Sequence, residues 1–366
     1  MNYLFYAPQM APYGGMERHI CTLAAAAAER GHRIRLLTTS NSLGDELRGL
    51  LAHPEIDFRE LPVARMGAGA LQKALWLARQ TLAARSIGWD AIYTNGQSGL
   101  ASWVWRAARR GTHVIHHHHT AADPGEQSSW SPTFRKVLGK APTLAGCSEA
   151  TCSYITAAVP RKTPPRFLPY LTRCLMRTEE VRERSPSPAL KFGFLGRLVK
   201  EKGLDAICQL SQDALLSDIS WNIHGEGQAY PPELFKSYPN ITYHGAYRSA
   251  AAHRSILAGL DAVVLLSTHN EGMPLSLIEA MSAGCPWIAT DRGGTRELAR
   301  SSEECLVLAP GEEISTTARR IRAFADGIME GRVSRLRQKA CYEEFLSPER
   351  VGAAWLALLA ERPERR

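Results

Sequence analysis

Short apolar runs of about four to six residues recur along this chain, separated by stretches with helical spacing. Tyr3-Leu4-Phe5-Tyr6-Ala7 is the first. A run that is apolar at every position suits a parallel strand covered on both faces, rather than the alternating strand of a half-exposed sheet. Gly14-Gly15 follows, and 16–30 reads as a helix closed by Gly31, because glycine enters the left-handed backbone that ends a helix without steric cost. The next strand is predicted at 34–39. Strand, glycine turn, helix and strand in that order form the unit of a parallel doubly wound sheet. Further strands are predicted at 58–61, 91–94, 113–117 and 143–146, with helices over 71–84 and 98–110.

The texture changes between Pro160 and Pro188. Prolines at 160, 164, 165, 169, 186 and 188 interrupt both periods, and charges from Arg177 to Arg184 intervene, which reads as a linker region. The alternation then restarts, with strands predicted at 190–195, 221–224, 241–244, 262–267 and 287–290. Helices are predicted at 204–210, 296–300 and, anchored by Trp355, 354–359. No sequence repeat with a period of 20–50 residues is present, so the two halves repeat an architecture and not a sequence. A chain of 366 residues accommodates two α/β domains of ordinary size.

Composition narrows the class. A hydrophobic content of 45% supports a globular core. No apolar run approaches the roughly 18 residues of a membrane span, since Arg30, Arg79 and Arg85 interrupt the alanine-rich stretches. The first apolar run has no positive leader before it, so no secretion signal is expected. Eight cysteines, at 21, 147, 152, 174, 208, 285, 305 and 341, form no Cys-x-x-Cys pair. Reduced thiols in a cytosolic protein are expected, without a disulfide network or a zinc site. The net charge of +8 lies wholly in the first part, where residues 1–170 hold 19 Lys/Arg against 11 Asp/Glu. Such an excess attracts nucleic acid, anionic lipid or phosphorylated substrates, and a plain solubilising bias accounts for it equally well.

Candidate chemistry sits at the turns after strands, where open parallel sheets bind ligands. In Glu271-Gly272-Met273-Pro274-Leu275-Ser276-Leu277-Ile278-Glu279 a loop carrying one carboxylate runs into a helix carrying another. Pro274 suits a first helical turn, and Gly284 and Pro286 stop the helix. Amides near Met273 to Ser276 would form an anion site at the positive helix end. An amphipathic helix with two solvated glutamates fits the same spacing. Gly196-Arg197 closes a strand, and Lys202-Gly203 follows six residues on. Two cations on one loop suit a diphosphate, although a solvated basic loop reads as well. Gly14-Gly15 permits close approach to a ligand but does not make Gly-x-Gly-x-x-Gly. His116 to His119 end a strand, and alternation puts His117 and His119 on one face and His116 and His118 on the other. Neighbours on one strand cannot converge on a single metal, so packing and hydrogen bonding account for most of the run, with one histidine left to touch substrate. Trp103, Trp105, Arg106, Arg109 and Arg110 suit either an anionic membrane surface or two core tryptophans with a basic rim.

Taken together these segments resemble the GT-B glycosyltransferases, particularly the retaining group called family 4, or glycosyl transferases group 1. The matches run in the family's order: Gly14-Gly15-Met16-Glu17, His119-Thr120, Gly196-Arg197-Leu198 with Lys202-Gly203, Gly225-Glu226-Gly227, Glu271-Gly272 with Glu279-Ala280, and Gly293-Gly294 with Glu297. The resemblance implies two Rossmann-like doubly wound domains facing across a cleft. Residues 1–167 would bind the acceptor, 168–189 would link, 190–345 would bind a nucleotide-sugar donor, and 346–366 would cross back as a helix. It further implies that Arg197 and Lys202 contact the donor diphosphate and that Glu279 binds the ribose. Glu271 would lie by the transferred sugar, and Gly272, Met273, Pro274 and Leu275 by sugar and phosphate. Gly15 would approach the donor, and His119 would sit near the acceptor or sugar, with His119 and Glu271 as the catalytic candidates. The donor would be a UDP- or GDP-sugar, used without a metal or other cofactor. The acceptor would be a glycan or lipid-linked precursor of the cell envelope, reached in the cytoplasm or at the inner face of the membrane. The family's Asn-Gly-Val type linker is absent, Leu168-Pro169-Tyr170-Leu171 standing there, and the histidine run is longer than the family's. A nucleotide-sugar epimerase or hydrolase of the same fold is the alternative reading. A nucleic-acid-binding module has no zinc framework or aromatic platform to support it, and a catalytically silent subunit would not need the charged motifs.

Overall fold

The apolar runs become short strands, most of them buried, and every strand pair among the described residues is parallel. In this computed structural model, which describes residues 1–11, 14–39, 43–61, 70–85, 88–185 and 189–362, the chain divides into two compact units. Met1–Arg173 and Pro348–Arg366 form the first, and Cys174–Ser347 the second. Pro12 and Tyr13 of the glycine turn and Pro186 and Pro188 of the proline-rich stretch lie outside the described residues.

The first unit holds β1 (Asn2–Tyr6), β2 (Arg33–Thr38), β3 (Ile56–Glu60), β4 (Ala91–Asn95), β5 (His113–His118), β6 (Thr143–Gly146) and β7 (Arg166–Phe167). They pair in the order β3-β2-β1-β4-β5-β6-β7. The chain therefore reverses direction across the sheet between β1 and β4, and such a reversal opens a crevice at the carboxyl ends of the strands. The helix Gly15–Ala28 lies on one face, where Ile20, Leu23 and Ala24 join Tyr3, Phe5, Leu36 and Tyr93. The helix Pro348–Ala360 packs on the same face through Trp355, whose indole N–H donates to the Pro169 carbonyl at 2.8 Å. On the other face Leu4, Tyr6, Ile92 and Val114 pack with Trp89 and Val104.

The second unit holds β8 (Leu190–Leu195), β9 (Ile219–His224), β10 (Ile241–Gly245), β11 (Ala262–Leu265), β12 (Trp287–Thr290) and β13 (Cys305–Leu308). Their order is β10-β9-β8-β11-β12-β13, so the reversal falls between β8 and β11. Trp221 and Trp287 are fully buried, and Trp221 meets Phe192 edge-on at 5.8 Å.

Two predicted helices are corrected. The stretch 98–110 is helical only over Ala101–Val104 with a tighter turn at Trp105–Ala107. The Thr112 hydroxyl ends it, accepting the Arg109 N–H at 3.0 Å and donating to the Trp89 carbonyl at 2.8 Å. The stretch 296–300 makes a single tight turn, Arg296–Leu298. The fold also contains elements the pattern did not announce, among them β7, β13 and the helices Pro132–Lys140, Glu149–Ala158, Ala250–Gly259, Ile314–Met329 and Arg335–Leu346.

Candidate functional site

The most chemically loaded part of the second unit lies at the reversal between β8 and β11. After β8 the chain passes Gly196 and Arg197, makes one tight turn at Lys200–Lys202, and leaves it through Gly203 at φ +73°. A Cβ on Gly203 would lie 1.8 Å from the Leu266 carbonyl oxygen, so only glycine lets this loop close onto the end of β11. Gly225, at φ +150°, similarly sits with its Cβ direction 1.8 Å from the Gly196 carbonyl oxygen. The loops after β8, β9 and β11 are thereby pressed together.

That closure brings Lys202 to Glu271. Lys202 Nζ lies 2.6 Å from Glu271 Oε1, Ser267 Oγ donates to the same oxygen at 2.5 Å, and His269 Nε2 stands 3.7 Å away. Burial pushes the Glu271 carboxyl upward, but the Lys202 ammonium, His269 and the two hydrogen bonds outweigh it and hold the group below the usual carboxylate range. Glu271 is therefore an ionised carboxylate with one cation locked against it. Its main chain is fixed as well: its carbonyl accepts the Gly294 N–H at 2.9 Å, and it bridges to Gly293. The paired glycines after β12 thus serve to seat Glu271.

Three residues on, Pro274 is the N-cap of the helix Leu275–Ser282 rather than its first helical residue, and no side chain caps that end. Met273 and Pro274 are buried, whereas Gly272, Leu275 and Ser276 are half-buried. Glu279 follows on the helix, buried, with His253 Nε2 at 3.9 Å from its Oε2. His253 comes from the helix Ala250–Gly259, and the Tyr247 ring stands 4.5 Å from it. Arg197 is exposed and makes no ion pair among the described residues. The structure thus joins Lys202 directly to Glu271, brings the Gly196-Arg197 turn against Gly225, and seats Glu279 one helix turn and more beyond the uncapped end.

In the first unit Gly14 is the N-cap of the helix that Gly15 begins. Glu17, buried in the first turn, accepts the Ala11 N–H at 2.8 Å. The histidine run at the end of β5 splits by face. His117 meets His19, Tyr170 and Trp355, and its Nδ1 is 2.7 Å from the Tyr93 hydroxyl. His116 and His118 pack on Phe134. Burial, and then neighbouring histidines, drive His116 and His117 well below the ordinary imidazole range. Burial likewise lowers His119 to about 4 and His19 to about 3, so all four are neutral near pH 7. His119 is half-buried, and its carbonyl accepts the Tyr170 hydroxyl.

Sequence reasoning missed Ser267, His269 and His253 as partners of the two glutamates, and Glu126 beneath the histidine run. Ser267 and His269 were within reach, because they stand four and two residues before Glu271. His253 was not, because its helix was not recognised. Among the described residues no group of three or more His, Cys, Asp or Glu side chains is arranged to hold a metal ion, and all eight cysteines are free.

Comparison with known proteins places this architecture. A "Glycosyl transferase 4-like domain" model matches residues 14–170, and a "Glycosyl transferases group 1" model matches residues 189–326. The chain belongs to the group 1, family 4 type of GT-B glycosyltransferases. Among curated relatives it is 27% identical over 260 residues to a GDP-mannose-dependent alpha-mannosyltransferase of Mycobacterium tuberculosis, covering 68% of this chain and 59% of that protein. It is 32% identical over 111 residues to a glycogen synthase of Desulforamulus reducens, covering 29% of this chain and 23% of that protein. The matched stretches therefore span less than two thirds of these relatives' own length. Among solved structures, an Anabaena protein, HepE, in complex with UDP and glucose superposes with a TM-score of 0.77 at 18% identity, over 98% of this chain and 99% of that one. Sucrose-phosphate synthase from Thermosynechococcus elongatus superposes with a TM-score of 0.75 at 17% identity, over 98% of each chain. These likenesses establish the fold, two parallel-sheet α/β units of GT-B type.

Proposed function

We propose that this protein is a retaining glycosyltransferase that moves a sugar from a UDP- or GDP-sugar to a glycan or lipid-linked acceptor in cell-envelope polysaccharide synthesis. The observation that carries the reading is the Lys202–Glu271 pair, 2.6 Å apart, where the second sheet reverses direction. The relatives' names support a nucleotide-sugar donor.

The chemistry follows from charge. As the sugar leaves, negative charge collects on the nucleoside diphosphate and positive character on the anomeric carbon. Arg197, Lys202 and the uncapped amides at Leu275 and Ser276 would take the diphosphate, with Gly272, Met273 and Pro274 shaping the path between phosphate and sugar. A donor group of this kind, fixed before reaction, typically contributes about 3 kcal/mol to lowering the barrier. Glu271 holds the Lys202 side chain in place, and its remaining carboxylate oxygen would face the sugar as a hydrogen-bond acceptor. It need not bond covalently to the sugar, since attack on the face from which the diphosphate departs retains configuration. Glu279 would hold the ribose hydroxyls. In the first unit Gly15 and His119 would belong to the substrate-facing edge, with the neutral imidazole of His119 able to hydrogen-bond a sugar or acceptor hydroxyl. The reaction as drawn uses no metal.

The acceptor side gives a reason to expect a membrane surface. Arg106 stacks on Trp103 with its guanidinium carbon 3.8 Å from the ring centroid, and Arg109 and Arg110 are exposed. Leu75 and Leu82, seven residues apart on the helix Ala70–Arg85 that packs against this segment, are exposed as well. Basic groups beside exposed leucines suit an anionic lipid surface at the inner face of the membrane. No helix among the described residues is long and apolar enough to cross a membrane.

The test is a thermal-shift panel of UDP, GDP and their sugars on the wild type, Lys202→Ala and Glu279→Ala. The reading requires a donor that raises Tm by mass action in the wild type and not in the variants. Rapid, stoichiometric consumption of the donor without any acceptor would instead identify an epimerase or hydrolase. Equal binding to neutral and anionic liposomes would remove the membrane part of the proposal.

A further inference from the structure

We propose that Glu126 is a positioning residue for His119, an inference that rests on reading His119 as a substrate-facing group. Nothing in the sequence motifs points to Glu126, which lies in the first turn of the short helix Pro124–Ser128. Its carboxylate is nevertheless the most heavily used acceptor near the end of β5. Oε1 accepts from His118 Nε2 at 3.0 Å, Thr120 Oγ1 at 2.7 Å, Gln97 Nε2 at 2.8 Å and Trp130 Nε1 at 3.2 Å, and Oε2 accepts from the Ala122 N–H at 2.8 Å.

These contacts bracket His119. His118 precedes it, Thr120 follows it, and Ala122 closes the turn. The carbonyls of the same turn are held from the other side: Tyr170 donates to His119, Thr151 Oγ1 to Thr120 at 2.9 Å, and Gln127 Nε2 to Ala122 at 2.7 Å. Ala122 sits at φ +59°, the only left-handed residue other than glycine among the described residues. An alanine in that conformation is disfavoured by contact of its Cβ with the backbone. Such backbone persists where the surroundings over-determine it, and it clusters at functional sites. Here the over-determination comes from the Glu126 carboxylate together with Tyr170, Thr151 and Gln127, and what they fix is the chain on both sides of His119. Burial opposes ionisation of Glu126, but His118, Thr120 and the Ala122 amide hold its carboxyl down to about 2, so the clamp stays charged at working pH.

A clamp that only stabilises the fold and a clamp that places His119 make different predictions. Glycine at 122 relieves the conformational strain while loosening the turn. If positioning matters, Ala122→Gly keeps or raises Tm yet lowers turnover several-fold. Glu126→Gln, which keeps the shape but presents an amide to the donors, lowers kcat about 100-fold, the size of a misplacement near 1 Å, with donor KM within about twofold because the proposed diphosphate contacts, Arg197 and Lys202, lie in the other unit. The assay is nucleoside diphosphate release from UDP-glucose and from GDP-mannose, with His119→Ala as the control and Tm measured for each protein. If His119→Ala is impaired while Ala122→Gly and Glu126→Gln turn over within about twofold of wild type, the positioning proposal is overturned and the role of His119 stands. If His119→Ala itself is unimpaired, the role of His119 falls and the proposal with it. Should Glu126→Gln not fold, Ala122→Gly decides. Should neither donor turn over, the ring resonances of His119 in 15N-histidine-labelled protein decide instead: displaced in Ala122→Gly supports the proposal, unmoved overturns it.

Discussion

Replacing Lys202 by methionine isolates the electrostatics of the proposed donor site. The two side chains are 19% and 9% exposed in a 2.6 Å pair. Removing one member of a buried pair costs about 3–5 kcal/mol, because the other charge is left without compensation. Glu271 would keep the Ser267 hydrogen bond and the neighbouring His269, so the lower end, about 3 kcal/mol, is expected. For a unit the size of Cys174–Ser347 that corresponds to a Tm loss of roughly 6–12 °C. The pH dependence carries more information. In the wild type Glu271 is held below its ordinary value, so its ionisation contributes stability above the unfolded carboxyl pKa, and that contribution is lost as pH falls through the lower folded value. Without Lys202, burial dominates and raises the folded pKa, so the ionised form becomes a liability that protonation relieves. The stability gap between wild type and Lys202→Met is therefore largest at pH 7 and narrows toward pH 4. Calorimetric scans at pH 7 and pH 4.5 measure it. Adding Glu271→Leu to Lys202→Met should recover part of the loss, since no charge then remains buried. A gap under about 0.5 kcal/mol, the level of an ordinary surface substitution, or one that does not change with pH, would mean that Lys202 does not compensate a buried Glu271 charge.

Glu279→Ala should abolish the donor-induced rise in Tm while leaving the unliganded Tm within a few degrees; a rise equal to wild type would deny this residue a donor role. Gly203→Ala should destabilise the second unit and weaken nucleotide binding together, because the added Cβ would fall 1.8 Å from the Leu266 carbonyl oxygen and the β8 loop must retreat; unchanged urea midpoint and binding would contradict the closure described here. The first unit should be acid-labile. His19, His116, His117 and His119 are held neutral by burial, with His119 lowered to about 4 and His19 to about 3. Each contributes stability that is present above the unfolded value near 6.5 and lost as pH falls toward the folded one, at roughly 1.4 kcal/mol per pH unit per histidine. Urea midpoints that stay flat between pH 7 and pH 5 would count against this.

How far the sequence could be read depended on what each element buries. Strands such as Leu190–Leu195 and Trp287–Thr290 matched their apolar runs because nearly all their residues are buried, Lys191 being the exposed one. The helix Arg335–Leu346 was invisible because it buries polar groups: Arg335 donates to the carbonyls of Leu260, Leu257 and Ala283, and Lys339 pairs with Glu343 at 2.7 Å. Partnered charges of this kind erase the apolar period without costing the helix its place. At the site, the motif residues Lys202, Glu271 and Glu279 could be named from spacing and resemblance. Their partners were less legible: Ser267 lies close by in sequence, but His253 reaches Glu279 from the helix Ala250–Gly259, which the pattern concealed, and Gly293 reaches Glu271 through a loop closure. The histidine faces followed from strand alternation alone. The Glu126 clamp depends on a left-handed alanine, for which the sequence carries no sign.

Titration calorimetry of UDP and GDP against the wild type, Arg197→Ala and Lys202→Met shows whether the loop after β8 grips a diphosphate. One of the two nucleotides should bind the wild type at a single saturable site, and each variant should weaken it by about tenfold or more, as expected when a charge-assisted contact to phosphate worth at least 1.4 kcal/mol is lost. No binding of either nucleotide, or binding of unchanged strength in both variants, would contradict a diphosphate site built on this loop.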